Sequence, residues 1–418
     1  MTFASLDLDP ALLRAVDDLG FERPTPVQAA AIPAILRGGD LWASAMTGSG
    51  KTAAFVLPVL QTWALRRRAS ERTIPIHGLL LAPTRELALQ TAETIRVLGA
   101  HLAAPPKTCV AVGGLSINPQ MLNLRGGADL VVATPGRLLD LLAHNALHLS
   151  SVEMLVLDEA DRLLSLGFAD ELARIRAALP GACQTLLFSA TFPPAVRALA
   201  GTLLREPSAI NIDAGAPPDI STIVQRAIEV DGGRRTALLR HLLRQHGWPQ
   251  ALVFVATKHA TEMVALKLRR AGLTAAPLHG ELSQGTRTLA LADFKARRVQ
   301  VLVATDLAAR GLDIAELAAV VNYDLPRSAV DYVHRIGRTG RAGDTGVAVS
   351  FVNAANEAHF RLIERRHGLA IERERLPGFE PTEVSAPPGD PHGGVKGKRK
   401  SKKDKLREAA ARARTSEG

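Results

Sequence analysis

The sequence predicts an α/β protein: two tandem domains, each a parallel sheet covered by helices, followed by a basic tail that stays disordered. Three observations carry that expectation. Short apolar strands alternate with longer amphipathic stretches in two successive series, the rhythm of βαβ units. A Gly/Pro-rich break, Gly215-Ala216-Pro217-Pro218, separates the two series. The chain is also 418 residues long, more than one hydrophobic core usually organises.

In the first series the expected strands are 41–45, 78–82, 110–112, 130–133, 154–157, 185–189 and 209–212. In the second they are 251–256, 275–278, 299–304, 319–323 and 346–352, separated by helical stretches such as 261–271. These bounds give a first domain over 1–213, a hinge over 214–219, a second domain over 220–376 and a tail over 377–418. The tail runs through Lys396-Gly397-Lys398-Arg399-Lys400-Ser401-Lys402-Lys403, which cannot bury a core; a short helix is expected only near 406–414.

Hydrophobic residues make up 47% of the chain and charged residues 22%, enough to offset the entropy of folding over most of its length. The net charge of +10 favours a polyanionic partner. Much of that charge lies between residues 385 and 418, where ten Lys/Arg face four Asp/Glu, leaving the rest near +4. The charge argument is therefore mostly an argument about the tail. Aromatic residues are only 4%, which speaks against a surface built on stacked bases and for contact with a nucleic-acid backbone. Cys109 and Cys183 stand far apart in no metal-ligand spacing, so neither a disulfide framework nor a zinc site is expected. A basic leader with an apolar segment is missing, and no apolar run reaches membrane length, so a cytoplasmic location is expected.

Chemistry enters at Ala45-Met46-Thr47-Gly48-Ser49-Gly50-Lys51-Thr52, which follows a predicted strand and opens a helix. That is the setting of a phosphate-binding loop: small residues let backbone N–H groups approach phosphates, Lys51 neutralises the β/γ-phosphates, and the Thr52 hydroxyl helps to hold Mg²⁺. Asp158-Glu159-Ala160-Asp161 ends another strand at the carboxyl edge, where ligands bind in a doubly wound sheet. There Asp158 suits Mg²⁺ held through water, and Glu159 suits orienting and deprotonating an attacking water. Asp161 has a plainer reading as a helix cap. Hydrolysis also needs positive charge on the γ-phosphate in the transition state. The second domain supplies it in His334-Arg335-Ile336-Gly337-Arg338-Thr339-Gly340-Arg341, with Arg338 and Arg341 as arginine fingers. The alternative is a solvated basic loop. If the fingers come from the second domain, ATP must close the two domains.

Together with further segments, these motifs resemble the DEAD-box family of superfamily 2 ATP-dependent RNA helicases. Phe21-Glu22-Arg23-Pro24-Thr25-Pro26-Val27-Gln28, within an N-terminal segment 3–28, is similar to the family's adenine-reading Q motif. Pro83-Thr84-Arg85-Glu86-Leu87, Gly113-Gly114 and Thr134-Pro135-Gly136-Arg137 resemble its RNA-backbone motifs, and Ser189-Ala190-Thr191 its coupling motif. In the second domain, 253–257, 284–287, 304–306 and 310–313 resemble the remaining motifs. The resemblance spans roughly residues 3–370, with Met46 standing where the family's phosphate loop commonly has glutamine.

What the resemblance implies is specific. Two RecA-like domains would bind ATP between them and single-stranded or short duplex RNA across both. ATP contacts would fall to Phe21, Arg23, Gln28, Thr47, Gly48, Ser49, Gly50, Lys51, Thr52 and Asp313. RNA contacts would fall to Pro83, Thr84, Arg85, Gly114, Thr134, Pro135, Gly136, Arg137, Arg287 and Thr305. Coupling would involve Ser189, Thr191, Asp161 and His334. Hydroxyls, guanidinium groups and glycine N–H groups suit phosphate oxygens and carry no base information, so sequence preference is not expected from the core. The compact layout most resembles the bacterial RhlE-like subgroup, and ribosome assembly or RNA turnover are family expectations. Two other readings stay open: a DNA-directed motor on the same scaffold, which the Q motif and the Asp-Glu-Ala-Asp box disfavour, and an ATP-gated RNA clamp without productive unwinding.

Overall fold

The computed structural model describes residues 1–45, 49–69, 76–212, 223–309, 317–340 and 346–382. The expected hinge, the tail beyond Thr382, and Thr47, Gly48, Asp313 and Arg341 lie outside the described residues.

The first domain opens with α1 (Pro10–Asp18) and α2 (Pro26–Leu36), which precede β1 (Leu41–Ser44) and α3 (Lys51–Ala69). Then come β2 (Gly78–Leu81), α4 (Arg85–Leu98), β3 (Thr108–Ala111), α5 (Ile117–Leu124), β4 (Leu130–Ala133) and α6 (Pro135–Ala143). The domain closes with β5 (Met154–Leu157), α7 (Ala160–Ser165), α8 (Ala169–Ala178), β6 (Gln184–Ser189), α9 (Pro194–Leu203) and β7 (Ser208–Asn211).

The second domain begins with β8 (Ile223–Glu229), α10 (Arg235–His246), β9 (Ala251–Phe254), α11 (Lys258–Arg270) and β10 (Ala275–Leu278). It continues through α12 (Gln284–Lys295), β11 (Val301–Ala304), α13 (Asp306–Ala309), β12 (Ala319–Asn322) and α14 (Ala329–Ile336). The last elements are β13 (Gly346–Val352), α15 (Glu357–His367) and the two-residue β14 (Arg373–Glu374).

The strands form two seven-stranded sheets, ordered β3-β4-β2-β5-β6-β1-β7 and β10-β11-β9-β12-β13-β8-β14, with every pairing parallel. Adding seven to each strand number of the first order gives the second, so the two domains repeat one topology. Side chains alternate between faces as the pleat requires. In β2, Leu80 joins the core beneath α1–α4, while Leu79 and Leu81 join the core beneath α5–α8. Central strands buried on both faces read as continuous apolar runs, which is why their sequences announce them.

Two features differ from expectation. β8 was not anticipated: Gln225, Arg226 and Glu229 interrupt its apolar pattern, because it lies beside the two-residue edge strand β14 and is only partly covered. Residues 377–382, expected within the tail, instead lie against α10. Phe379 packs on the second core with the Arg234 guanidinium 5.5 Å from its ring centre, and Thr382 donates its backbone N–H and hydroxyl to the Asp231 carboxylate at 2.7–3.0 Å.

Candidate active site

The carboxyl edge of the first sheet divides its motifs by strand order. β1, β6 and β5 are neighbours. They bring together the phosphate loop, the Ser189 segment and Asp158-Glu159. β2, β4 and β3 carry Pro83–Arg85, Thr134–Arg137 and Gly113-Gly114 on the other half of the same edge. The chain places ATP-type and backbone-type motifs side by side, with β5 and β6 between the phosphate loop and the other half.

At the nucleotide half, the buried Lys51 extends from the first turn of α3, and its Nζ donates to the Ala45 carbonyl at 2.6 Å. Ser49, Gly50 and Thr52 are half-buried around it. Gln28 is the third residue of α2 and completes a capping box: Thr25 Oγ1 accepts from the Gln28 N–H, and Gln28 Oε1 accepts from the Thr25 N–H at 2.9 Å. Its Nε2 donates to the Gly50 carbonyl at 3.2 Å, so the amide ties the Q motif to the phosphate loop. Gly50 has φ of +89°, and a Cβ there would lie 2.5 Å from Gln28 Nε2, so the position requires glycine. An Nε2 proton and an Oε1 lone pair are left over for a ligand. Phe21 is 38% exposed, stacked at 6.4 Å on Phe3, and offers an open ring face; Arg23 is exposed beside it.

Asp158 is buried at the end of β5, and its Oδ1 accepts from the Glu159 N–H at 2.9 Å. Burial, and then the neighbouring Glu159 carboxylate, push the Asp158 carboxyl up to about 7, with Lys51 pulling the other way. Glu159 adopts a left-handed backbone, φ 50° and ψ 55°, an uncommon state for a residue with a side chain and one that recurs at functional sites. Its carboxylate pairs with Arg162 at 3.1 Å, a residue sequence reasoning passed over. Asp161 is more than a cap: its Oδ2 accepts from the Thr191 hydroxyl at 2.7 Å, and its N–H donates to Ser189 Oγ at 3.2 Å. Ser189 in turn donates to the Thr191 carbonyl at 2.7 Å. The acidic box and the Ser-Ala-Thr segment therefore form one hydrogen-bonded unit.

On the other half, the expected contact residues brace one another. Thr84 caps α4 by accepting from Leu87, Thr134 Oγ1 accepts from the Gly113 N–H at 3.2 Å, and Arg137 donates Nη2 to the Leu115 carbonyl at 2.7 Å. Arg137 is only 8% exposed and turns inward, so it holds the Gly113-Gly114 loop. Pro135 is buried and Gly136 half-buried at the start of α6. Gly114 has φ of +74°, and a Cβ there would strike the Arg85 guanidinium, which lies across it.

In the second domain, Thr305 is half-buried after β11 and starts the turn into α13; its N–H donates to Leu278. His334 lies half-buried on α14, and Arg338 follows that helix, 8% exposed. Arg335, between them, was missed by sequence reasoning because a buried arginine looks no different from a surface one in a basic run. Its guanidinium is bidentate to Asp306 at 2.6 and 2.7 Å. It also donates to Asn322 Oδ1 at 3.0 Å and the Asp324 carbonyl at 2.6 Å, and it stacks 4.7 Å from the Phe254 ring centre. One side chain thus fixes the ends of β9, β11 and β12 to α14. Arg335→Ala, which strands the Asp306 carboxylate, is expected to destabilise the second domain by on the order of 3 kcal/mol, read from the midpoint of urea unfolding. An unchanged midpoint would remove the hub role.

Arg287 does not stand open toward a ligand. It is 3% exposed and pairs with Glu86 of the first domain, Nη2 to Oε1 at 2.8 Å.

The family model for DEAD/DEAH box helicases matches residues 25–199, and the helicase conserved C-terminal domain matches 234–343. The chain is 42% identical over 379 residues to the ATP-dependent RNA helicase DeaD of Mycobacterium tuberculosis, covering 91% of this chain and 66% of that protein. It therefore spans just under two thirds of that relative's length. It is 43% identical over 372 residues to the ATP-dependent rRNA helicase rrp3 of Sclerotinia sclerotiorum, covering 89% of this chain and 76% of the relative. Among solved structures, S. cerevisiae Dbp5 bound to RNA and ADP BeF3 superposes with a TM-score of 0.78 at 32% identity, over 90% of this chain and 95% of the other. The matched domains, in the order and with the motifs that the two sheets carry, place the chain in the DEAD/DEAH-box helicase family.

Proposed function

We propose that the chain is an ATP-dependent RNA helicase that grips the RNA backbone and locally opens short duplexes as it hydrolyses ATP. The observation that carries the reading is the hydrogen-bonded unit of Asp161, Ser189 and Thr191. It lies between the phosphate loop and the strand ends that bear Arg85, Gly114 and Thr134, so a change at the γ-phosphate has a rigid route to the backbone-facing edge. Lys51 holds the phosphates; Glu159, paired with Arg162, orients the attacking water and takes its proton. Arg338 meets the charge that develops on the transferred phosphoryl group. The buried Asp158 carboxyl, pushed up to about 7 by burial and Glu159 against the pull of Lys51, fits Mg²⁺ together with the Thr52 hydroxyl, and the ion would neutralise phosphate charge when bound. Among the described residues no group of three or more His, Cys, Asp or Glu is placed to hold a metal.

RNA is read through phosphates by Arg85 and by the hydroxyl and N–H groups of Thr84, Gly114, Thr134, Gly136 and Thr305, and the basic tail adds sequence-independent attraction. Among the described residues no helix is long and apolar enough to cross a membrane, and we assign the protein to the cytoplasm. The finer reading is the RhlE-like subgroup, with structured RNA of ribosome assembly or of RNA turnover as substrate. The test is ATP hydrolysis by the purified chain with and without single-stranded RNA, alongside release of a short labelled duplex. Stimulation with release is expected; stimulation without release would favour the clamp, and no stimulation would reject both.

Two further outcomes follow from the geometry. Gly114→Ala forces a side chain into a left-handed backbone and onto Arg85. It is expected to destabilise the first domain by about 1 kcal/mol and to raise severalfold the RNA concentration giving half-maximal stimulation. An unchanged half-saturation point would show that Arg85 takes no part in binding. ATP is expected over GTP by about 1–3 kcal/mol, because the Gln28 amide facing the wrong base edge is left unpaired. Equal kcat/KM for the two nucleotides would remove that role from Gln28.

A further inference from the structure

Arg162 directly follows the acidic box, and its guanidinium is bonded to Glu159: Nη1 donates to Oε2 at 3.1 Å, with the two side chains only 8% and 12% exposed. We propose that Arg162 is a positioning residue that aims the Glu159 carboxylate. Through Asp161 it ties that aim to the Ser189–Thr191 segment, so that RNA held at the backbone-facing edge sets the placement of the general base. The inference deepens the helicase reading and rests on it.

Three observations support this role. First, a glutamate side chain turns about three bonds, and a base that must face one water has to be held within a fraction of an ångström. Arg162 stands three residues on, across the first turn of α7, where side chains meet. Its Nη1 takes Oε2 and leaves Oε1 for the water. Second, the backbone of Arg162 is fixed by the coupling unit. Its N–H donates to the Glu159 carbonyl at 2.9 Å and to Asp161 Oδ1 at 3.1 Å, while Asp161 Oδ2 accepts from the Thr191 hydroxyl at 2.7 Å. One carboxylate thus bridges the Ser-Ala-Thr segment to the residue whose side chain holds the base. A displacement of Thr191 moves Asp161, and the Arg162 backbone moves with it. Third, Arg162 is 7% exposed, and its carbonyl accepts from the Ser165 hydroxyl at 3.1 Å. A guanidinium enclosed in this way does not swing out into water, and a charge-assisted contact with little water around it is of the strong kind.

The experiment uses the full chain with Arg162→Met, Arg162→Lys, Thr191→Val, and Arg162→Met combined with Thr191→Val. ATP hydrolysis is measured with and without saturating single-stranded RNA, together with KM for ATP and the midpoint of urea unfolding. Arg162→Met keeps the apolar stem and drops the guanidinium. It is expected to lower kcat at saturating RNA on the order of 10²-fold, to change KM little, and to shrink the ratio of RNA-stimulated to RNA-free rates. Arg162→Lys, which retains a shorter cation, is expected to recover part of that loss. The double variant is expected to be no slower than the slower single, because both changes cut one relay. Intact kcat in Arg162→Met with a lowered unfolding midpoint would make the pair a structural contact alone and overturn the proposal. Losses that multiply in the double variant would overturn the relay through Asp161. In either case RNA stimulation of the parent leaves the helicase reading standing; a parent without RNA stimulation would overturn that reading and the inference with it.

Discussion

Arg338→Ala is expected to lower kcat for RNA-stimulated ATP hydrolysis by about 10³-fold or more while changing ATP binding little, because the charge it meets is largest in the transition state. The structure suits Arg338 to this role. Arg338 follows α14 and is 8% exposed. Its N–H donates to the Arg335 carbonyl at 3.2 Å, and its own carbonyl accepts from Leu317 at 3.2 Å. Thr339 beside it bonds to the Leu317 carbonyl, and Gly346 packs so closely on Thr339 and Gly340 that a side chain would not fit. The backbone of the turn is thus held in place, and a donor carried on a preorganised backbone costs less reorganisation when the reaction occurs. Steady-state kinetics at saturating RNA test this: a raised KM with intact kcat would mean that Arg338 binds ground-state ATP and is no finger.

Glu159→Gln is expected to keep ATP binding and lose turnover by about 10²–10⁴-fold, the usual range for removing a general base. The amide fits the same space and the same left-handed backbone, so stability should change little. What it loses is proton affinity and the ion pair with Arg162. Held in its ATP-bound state, the variant should release RNA far more slowly than the parent, measured by competition with unlabelled RNA. Hydrolysis at the parent rate would show that water is activated elsewhere. Rapid RNA release with hydrolysis blocked would instead break the link between phosphate and RNA that the Asp161–Thr191 contact implies.

The sequence by itself determined the two parallel sheets and the place of the acidic box at the end of β5. Such features are written in local terms: an apolar run of four or five residues, an acidic pair at a strand's end, a cap directly before a helix. Strand limits moved by a residue or two at most sites, as at Thr108–Ala111 for 110–112, because strand ends are set by the neighbouring strand's hydrogen bonds. β8 and residues 377–382 escaped notice because edge elements are half-covered and carry mixed polarity.

Only the tertiary structure decided what the charged residues of the motifs do. Arg85, Arg137, Arg287 and Arg335 all read alike in sequence, as cations near glycines and hydroxyls. Folded, Arg85 lies across Gly114, Arg137 turns inward to Leu115, Arg287 crosses to Glu86 of the other domain, and Arg335 binds Asp306. The physical reason is that a guanidinium's role depends on which acceptors surround it and how much water remains. Those are properties of segments far apart in the chain, brought together by packing, and no local pattern of residues encodes them.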